Sequence, residues 1–273
     1  MHPAMDPLAP RKTLGLALGS GGIRGLSHVG VIKTLIKHNI PIDFIAGASI
    51  GAWVGANYAL FKDIERLEEF TVHKREEKLR SLFEPSLQGG MIGGKRMRAL
   101  LLEWLEDASF EETKIPLSVI ATDLFKRESV VYSSAALVPA VQASMAIPGM
   151  FKPVSYHGRV LIDGGVSNPV PSDVVKRMGA DVVIAVNLDR IPADTAVPHT
   201  GLGMLAVANR TIEIMRYYLA NATVQSADIV IEPLVETYAS WTQYFRKDLG
   251  NEIVAIGEAE TEKIIPQLKV LLS

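Results

Sequence analysis

The sequence predicts an α/β fold built on a mainly parallel sheet, and three observations carry that reading. The first sixty residues run strand, glycine loop, helix, strand, glycine turn, helix, which is the start of a βαβα unit with a parallel sheet. Both strand-to-helix junctions are glycine-rich, at residues 19–25 (GSGGIRG) and 47–51 (GASIG). The composition is that of an ordinary globular chain, with 48% hydrophobic and 21% charged residues over 273 positions, long enough to bury a substantial core.

The elements follow in order. Residues 1–12 hold three prolines and no apolar stretch of signal-peptide type, so they read as a flexible lead-in. Residues 13–18 (TLGLAL) form a short apolar strand, and 26–38 carry apolar positions at helical spacing until Pro41 stops them. A second strand at 42–46 enters the turn at 47–51, and a small-residue helix follows at 52–60. Residues 44–61 carry no charge, and Gly47, Gly51 and Gly55 share a four-residue spacing, as in a transmembrane packing face. A strand and a buried helix explain the run better, given Ser49, Asn57 and the glycine density.

Residues 62–80 are dense in both charge signs and are expected as one exposed helix, followed by a glycine-rich loop at 84–95 and an amphipathic helix at 95–106. Together 62–114 read as a helical insertion into a domain spanning 13–189. Strands are expected at 116–122 and 129–132 as a hairpin, then at 159–162 and 181–187, with helices at 136–145 and 171–178 between them. A linker at 189–203 leads to a mostly helical part, 190–273, packed on the same domain, with helices at 204–225 and 251–272 and a strand at 228–232.

Composition excludes several functions. A net charge of −2 offers no basic footprint for nucleic acid. The absence of cysteine removes disulfides, thiolate catalysis and cysteine-bound metals, and it agrees with a cytoplasmic setting.

The pentapeptide Gly47-Ala48-Ser49-Ile50-Gly51 has the pattern of a nucleophile elbow, in which a serine on a strained strand-to-helix turn is presented at a helix N-terminus. A serine that is merely small at a tight turn is the plain alternative. None of the six histidines (His2, His28, His38, His73, His157, His199) sits where a triad base would be expected. Asp163, at a strand end and followed by Gly164 and Gly165, is another base, since a partly buried carboxylate can take a serine proton. Asp-Gly is also a common turn dipeptide. The loop at 19–25 fails as a dinucleotide fingerprint because Arg24 stands where the third glycine belongs and Asp43 begins, rather than ends, the second strand. Consecutive amides at Gly21 and Gly22 suit an oxyanion hole, with Arg24 adding positive field or anchoring the loop.

These three motifs in this order resemble the patatin-like phospholipase family. So do residues 22–32 (GIRGLSHVGVI) and 143–154 (ASMAIPGMFKPV), and the likeness covers about 14–188. The chain is similar in particular to the bacterial members akin to the neuropathy-target-esterase branch. The resemblance implies a three-layer α/β/α fold and a Ser–Asp dyad without histidine. Its implied roles are nucleophile for Ser49, base for Asp163 and oxyanion stabilisation by amides around Gly21 and Gly22. One departure is Ser20, where many members carry a glycine. The implied substrates are acyl esters of lipids, with no metal or organic cofactor, no nucleic acid and room for peripheral contact with the inner face of a membrane or for a homo-oligomer. Trp53, Met145, Ile147, Met150 and Phe151 are apolar lining candidates. A histidine-dependent esterase or acyltransferase with the same elbow, and a non-catalytic membrane-surface binding protein, stand as alternatives.

Overall fold

The computed structural model describes residues 11–73, 94–190, 203–235 and 249–273. Eight strands form one sheet, β1 (Leu14–Leu18), β2 (Phe44–Ala48), β3 (Leu117–Asp123), β4 (Glu128–Tyr132), β5 (Val154–Tyr156), β6 (Arg159–Asp163), β7 (Val182–Val186) and β8 (Ile229–Ile231). The order is β5-β6-β3-β2-β1-β7-β8, with β4 also paired to β3. Strands β3, β2, β1, β7 and β8 run parallel, and β4, β5 and β6 are antiparallel. The helices among the described residues are α1 (Ser27–Lys37), α2 (Ile50–Phe61), α3 (Ile64–Glu68), α4 (Gly94–Leu105), α5 (Leu137–Ser144), α6 (Ser172–Arg177), α7 (Met204–Thr223) and α8 (Leu249–Leu272).

The two faces of the sheet differ because side chains alternate along each strand. On one face Leu14, Leu16 and Leu18 of β1 join a large core with α1, α2, α4 and α8. On the other, Ala17, Ala46, Ala48 and Ala185 meet Val174 and Val175 of α6, Ala220 of α7 and Val224 just after it. Small residues there let α6 lie close: a Cβ on Gly15 would fall 2.0 Å from the Val175 side chain. Helices thus cover both faces, the three-layer α/β/α arrangement expected from the resemblance.

The stretch 44–61 is a strand and a core helix, since every residue of α2 before Phe61 is buried. No helix among the described residues is long and apolar enough to cross a membrane. The expectation of one exposed helix over 62–80 is corrected. Lys62 takes the left-handed conformation (φ 52°) and ends α2, and the Asp63 carboxylate then accepts the Arg66 amide at 3.0 Å and starts the five-residue α3. A π-helical turn, Glu69–His73, follows with Thr71 and Val72 buried. Residues 74–80 and most of the expected loop at 84–95 lie outside the described residues, as do 1–10 of the lead-in and 191–202 of the linker. Arg11 and Lys12 are held, Arg11 by Asp43 and Lys12 by the Leu271 carbonyl at 2.9 Å.

Among the described residues past 202, β8 and α8 pack on the rest of the chain. β8 adds to the sheet beside β7, and α8 crosses α1 at backbone contact. Cβ atoms on Gly30 and Gly257 would each fall 2.1 Å from a carbonyl oxygen of the opposite helix, Val254 and Ser27 respectively. Only glycine fits at either position.

Candidate active site

The register of β3 brings the two motif ends together. β2 runs along one edge of β3 and stops with Ala48 opposite Ile120. β6 arrives on that edge from the other direction and stops with Asp163 opposite Ala121, the next residue along. β4 takes the other edge. The ends of β2 and β6 therefore meet head to head, and Ser49 is the residue that follows Ala48. Its Oγ donates to Asp163 Oδ2 at 2.5 Å, although 114 residues separate them.

Ser49 sits at φ 56°, ψ −121°, outside the regions a non-glycine residue ordinarily adopts. Its amide donates to Ser144 Oγ at 2.8 Å, and its carbonyl accepts the amides of Ala52 and Trp53 and so starts α2. The flanking glycines are steric necessities. A Cβ on Gly47 would meet the Gly51 carbonyl oxygen at 2.3 Å, and one on Gly51 would meet the Leu18 carbonyl oxygen at 2.1 Å.

Asp163 is 4% exposed. Its Oδ1 accepts the Gly165 amide at 2.7 Å, and Thr122 Oγ1 donates to its backbone carbonyl at 2.8 Å. Burial pushes its carboxyl from 3.8 up to about 6, against the lowering effects of the Ser49 hydroxyl, the Gly165 amide and the charge of Arg216. A base that titrates near 6 is ionised at neutral pH yet retains proton affinity.

The glycine loop lies against both partners. A Cβ on Gly25 would strike the Ile50 side chain at 2.3 Å, and one on Gly165 would meet Ser20 Oγ at 2.5 Å. The amides of Gly19 and Ser20 are used, by the carbonyls of Val186 (3.1 Å) and Pro169 (2.8 Å). Gly22 (φ 59°) opens a 3-10 turn, Gly22–Leu26, whose first amides have no acceptor within the turn. Among the described residues, the amides of Gly21 and Gly22 donate to no carbonyl outside the turn. Arg24, the third residue expected at the oxyanion hole, faces away. Its Nε donates to the Gly21 carbonyl (3.2 Å), Nη1 to the Leu188 carbonyl (2.6 Å) and Nη2 to Asp189 (2.9 Å). It anchors the loop.

No histidine is a hydrogen-bond partner of Ser49 or Asp163 among the described residues. His28 is fully buried and its Nε2 meets the Gly19 carbonyl at 2.8 Å, so that nitrogen carries the proton. Burial drives its pKa down to about 4 and keeps the ring neutral. His38 pairs with Glu262, and His73 and His157 are exposed. His2 and His199 lie outside the described residues. Of the apolar lining candidates, Trp53 belongs to the core, stacked on Trp104 at 4.3 Å, and Phe151 is buried. Met145, Ile147 and Met150 are half-buried. Residue patterns did not reveal Ser144, Asp189 or Arg216. Only Ser144 lay in a recognisable block.

No group of three or more His, Asp or Glu side chains among the described residues is placed to hold a metal ion.

An NTE family protein of Mycobacterium tuberculosis (strain ATCC 25618 / H37Rv) is 36% identical over 187 residues, covering 67% of this chain and 51% of its own length. Patatin-like phospholipase domain-containing protein 6 of Homo sapiens is 32% identical over 183 residues, which are 64% of this chain and 13% of that protein. The chain therefore spans about half the length of the mycobacterial relative. Among solved structures, VipD from Legionella pneumophila superposes with a TM-score of 0.60 at 16% identity, over 95% of this chain and 67% of that one, which is a likeness of fold. The family model described as patatin-like phospholipase matches residues 16–176, more than half of the sequence and all three motifs, so this chain belongs to the patatin-like phospholipase family.

Proposed function

We propose that this chain is a serine ester hydrolase that cleaves acyl esters of lipids through an acyl-enzyme on Ser49. The observation that carries the proposal is the 2.5 Å hydrogen bond from Ser49 Oγ to a buried Asp163 carboxylate that titrates near 6. As Ser49 attacks the ester carbonyl, its proton passes to Asp163 and the carbonyl oxygen takes the negative charge. The amides at Gly21 and Gly22, with the N-terminus of α2 behind Ser49, stabilise that charge. Asp163 then gives the proton to the leaving alkoxide. In the second step water attacks the acyl-Ser49, Asp163 takes the water proton and passes it to Ser49 Oγ as the fatty acid departs. The strained turn keeps the buried hydroxyl in one orientation, on the Asp163 carboxylate.

The family relationship supports lipid esters of phospholipase A, lysophospholipase or carboxylesterase type. So does the outer surface of α7, where Met204, Ile212, Met215 and Tyr218 are exposed apolar or aromatic side chains without an intervening charge on that face. Such a face suits peripheral contact with a lipid surface. The test is hydrolysis of a short aryl ester by wild type, Ser49→Ala and Asp163→Asn. Both variants should lose at least about a hundredfold in turnover, as expected for a lost nucleophile or base. A near-normal rate for Asp163→Asn would mean that another group is the base. Met215→Glu should weaken sedimentation with anionic phospholipid vesicles while aryl-ester turnover persists; unchanged sedimentation would remove α7 from the lipid contact.

A further inference from the structure

Behind the glycine loop lies a second charged cluster that the acyl-transfer scheme does not use. Asp189, just past β7, is 3% exposed. One face of its carboxylate accepts Arg24 Nη2 at 2.9 Å. Arg216, from the middle of α7, reaches it from the other side, with Nη2 3.0 Å from both carboxylate oxygens and Nε 3.3 Å from Oδ1. The same Nη2 donates to Ser20 Oγ at 3.1 Å. A buried carboxylate between two guanidiniums is compensated. The two arginines also grip neighbouring loop residues, Arg24 through the Gly21 carbonyl and Arg216 through the Ser20 hydroxyl. Ser20 Oγ is packed against Gly165, whose amide holds Asp163.

This arrangement accounts for the departure at position 20. A glycine there would leave Arg216 without that acceptor, whereas serine ties the loop to a helix almost 200 residues further along. We infer that Arg216 is a positioning residue of the site: it clamps the glycine loop through Ser20 and Asp189, and it supplies the cation that keeps the Asp163 carboxylate usable as a base. The inference rests on the Ser49–Asp163 reading proposed above.

The groups facing Asp163 give the sign. Among the described residues they are the Ser49 hydroxyl at the start of α2, the Gly165 amide of its own turn, Arg216 from α7 and Asp189 beyond β7. Thr122 of β3 donates to its carbonyl, and Asp123 beside it is tied to Arg159. His28, from α1, is held by the Gly19 carbonyl and is neutral. Arg216 lowers the Asp163 pKa and Asp189 raises it. Removing the arginine leaves burial and Asp189 less opposed, so the acidic limb of activity moves to higher pH. Removing the Asp189 charge moves it lower.

The experiment is the pH dependence of kcat/KM for a soluble aryl ester in wild type, Ser49→Ala, Arg216→Met, Arg216→Lys and Asp189→Asn. The acidic limb of kcat/KM reports the free enzyme's base. Wild type should show a limb near 6. Arg216→Met should shift it upward by about half a unit to one unit, the scale of one charge acting through a partly solvated site, and should lower the plateau. Arg216→Lys should return the limb toward the wild-type position while the plateau stays reduced, because an ammonium lacks the guanidinium fork. A limb unmoved in Arg216→Met, with only the plateau lowered, overturns the inference and leaves the dyad standing. If Arg216→Met does not fold, as judged by near-UV circular dichroism, Asp189→Asn decides: a downward shift supports the inference and an unmoved limb overturns it. Wild-type turnover in Ser49→Ala overturns the dyad and the inference together.

Discussion

Replacing Asp163 by asparagine should stabilise the protein at neutral pH while destroying activity, and the two effects have one cause. Burial raises the carboxyl from 3.8 to about 6, so the folded state holds its proton more tightly than the unfolded chain does. A raised pKa gives stability that is complete below 3.8, declines as pH rises, and is gone above about 6. The difference of about 2 pK units corresponds to about 3 kcal/mol. Asparagine is neutral throughout. Its Oδ1 can still accept the Gly165 amide, and its Nδ2 can donate to Ser49 Oγ. Asp163→Asn should therefore exceed wild type by about 2–3 kcal/mol at pH 8, or at least about 5 °C in Tm, and match it near pH 4. Urea unfolding of both proteins at several pH values between 4 and 8 reads the difference directly, because the titration of every other group cancels. A gap that does not change with pH, or a wild type more stable at pH 8, would refute the claim that burial tunes this carboxyl.

Other consequences can be checked with the same tools. Ser49→Gly and Ser49→Ala should both be inactive, but glycine should be more stable by about 1–2 kcal/mol, because φ 56°, ψ −121° strains any residue with a Cβ; equal melting temperatures would mean that the elbow stores no strain. Gly30→Ala puts a Cβ 2.1 Å from the Val254 carbonyl and should cost about 1–3 kcal/mol or more in thermal unfolding. His28 is held neutral down to about 4, so its folded form loses stability as pH falls from 6.5 to 4, by about 3 kcal/mol. His28→Gln should remove that acid sensitivity in unfolding measured between pH 4 and 7, and it should leave the acidic limb of the esterase profile in place, since the imidazole is not the base.

Much of this architecture could be read from residue patterns because local rules and tertiary demands agree there. Continuous apolar strands and the two glycine junctions place β1, α1, β2 and α2 to within a few residues. The pairing of Ser49 with Asp163 was legible as chemistry, since no histidine was available where one was needed. Its geometric cause was not. The head-to-head meeting of β2 and β6 on one edge of β3 depends on strand register, which sequence periodicity does not encode across 114 residues. Short elements escaped for a related reason: β5 has three residues, and α3 has five whose cap at Asp63 interrupts a charge-rich run that looks continuous. Arg24 is visible in the sequence as a loop residue, but whether a guanidinium points at an oxyanion or at a buried carboxylate depends on where Asp189 lies. Arg216 carried no local signal. Its partners at Ser20 and Asp189 come from distant parts of the chain.

The central claim is that Ser49 is a nucleophile activated by Asp163, and labelling with a fluorophosphonate probe tests it most directly. Peptide mapping after reaction at pH 8 should place the adduct on Ser49 in wild type, find none in Ser49→Ala, and show labelling at least about a hundredfold slower in Asp163→Asn. An adduct on another residue, or undiminished labelling of Ser49→Ala, would contradict it.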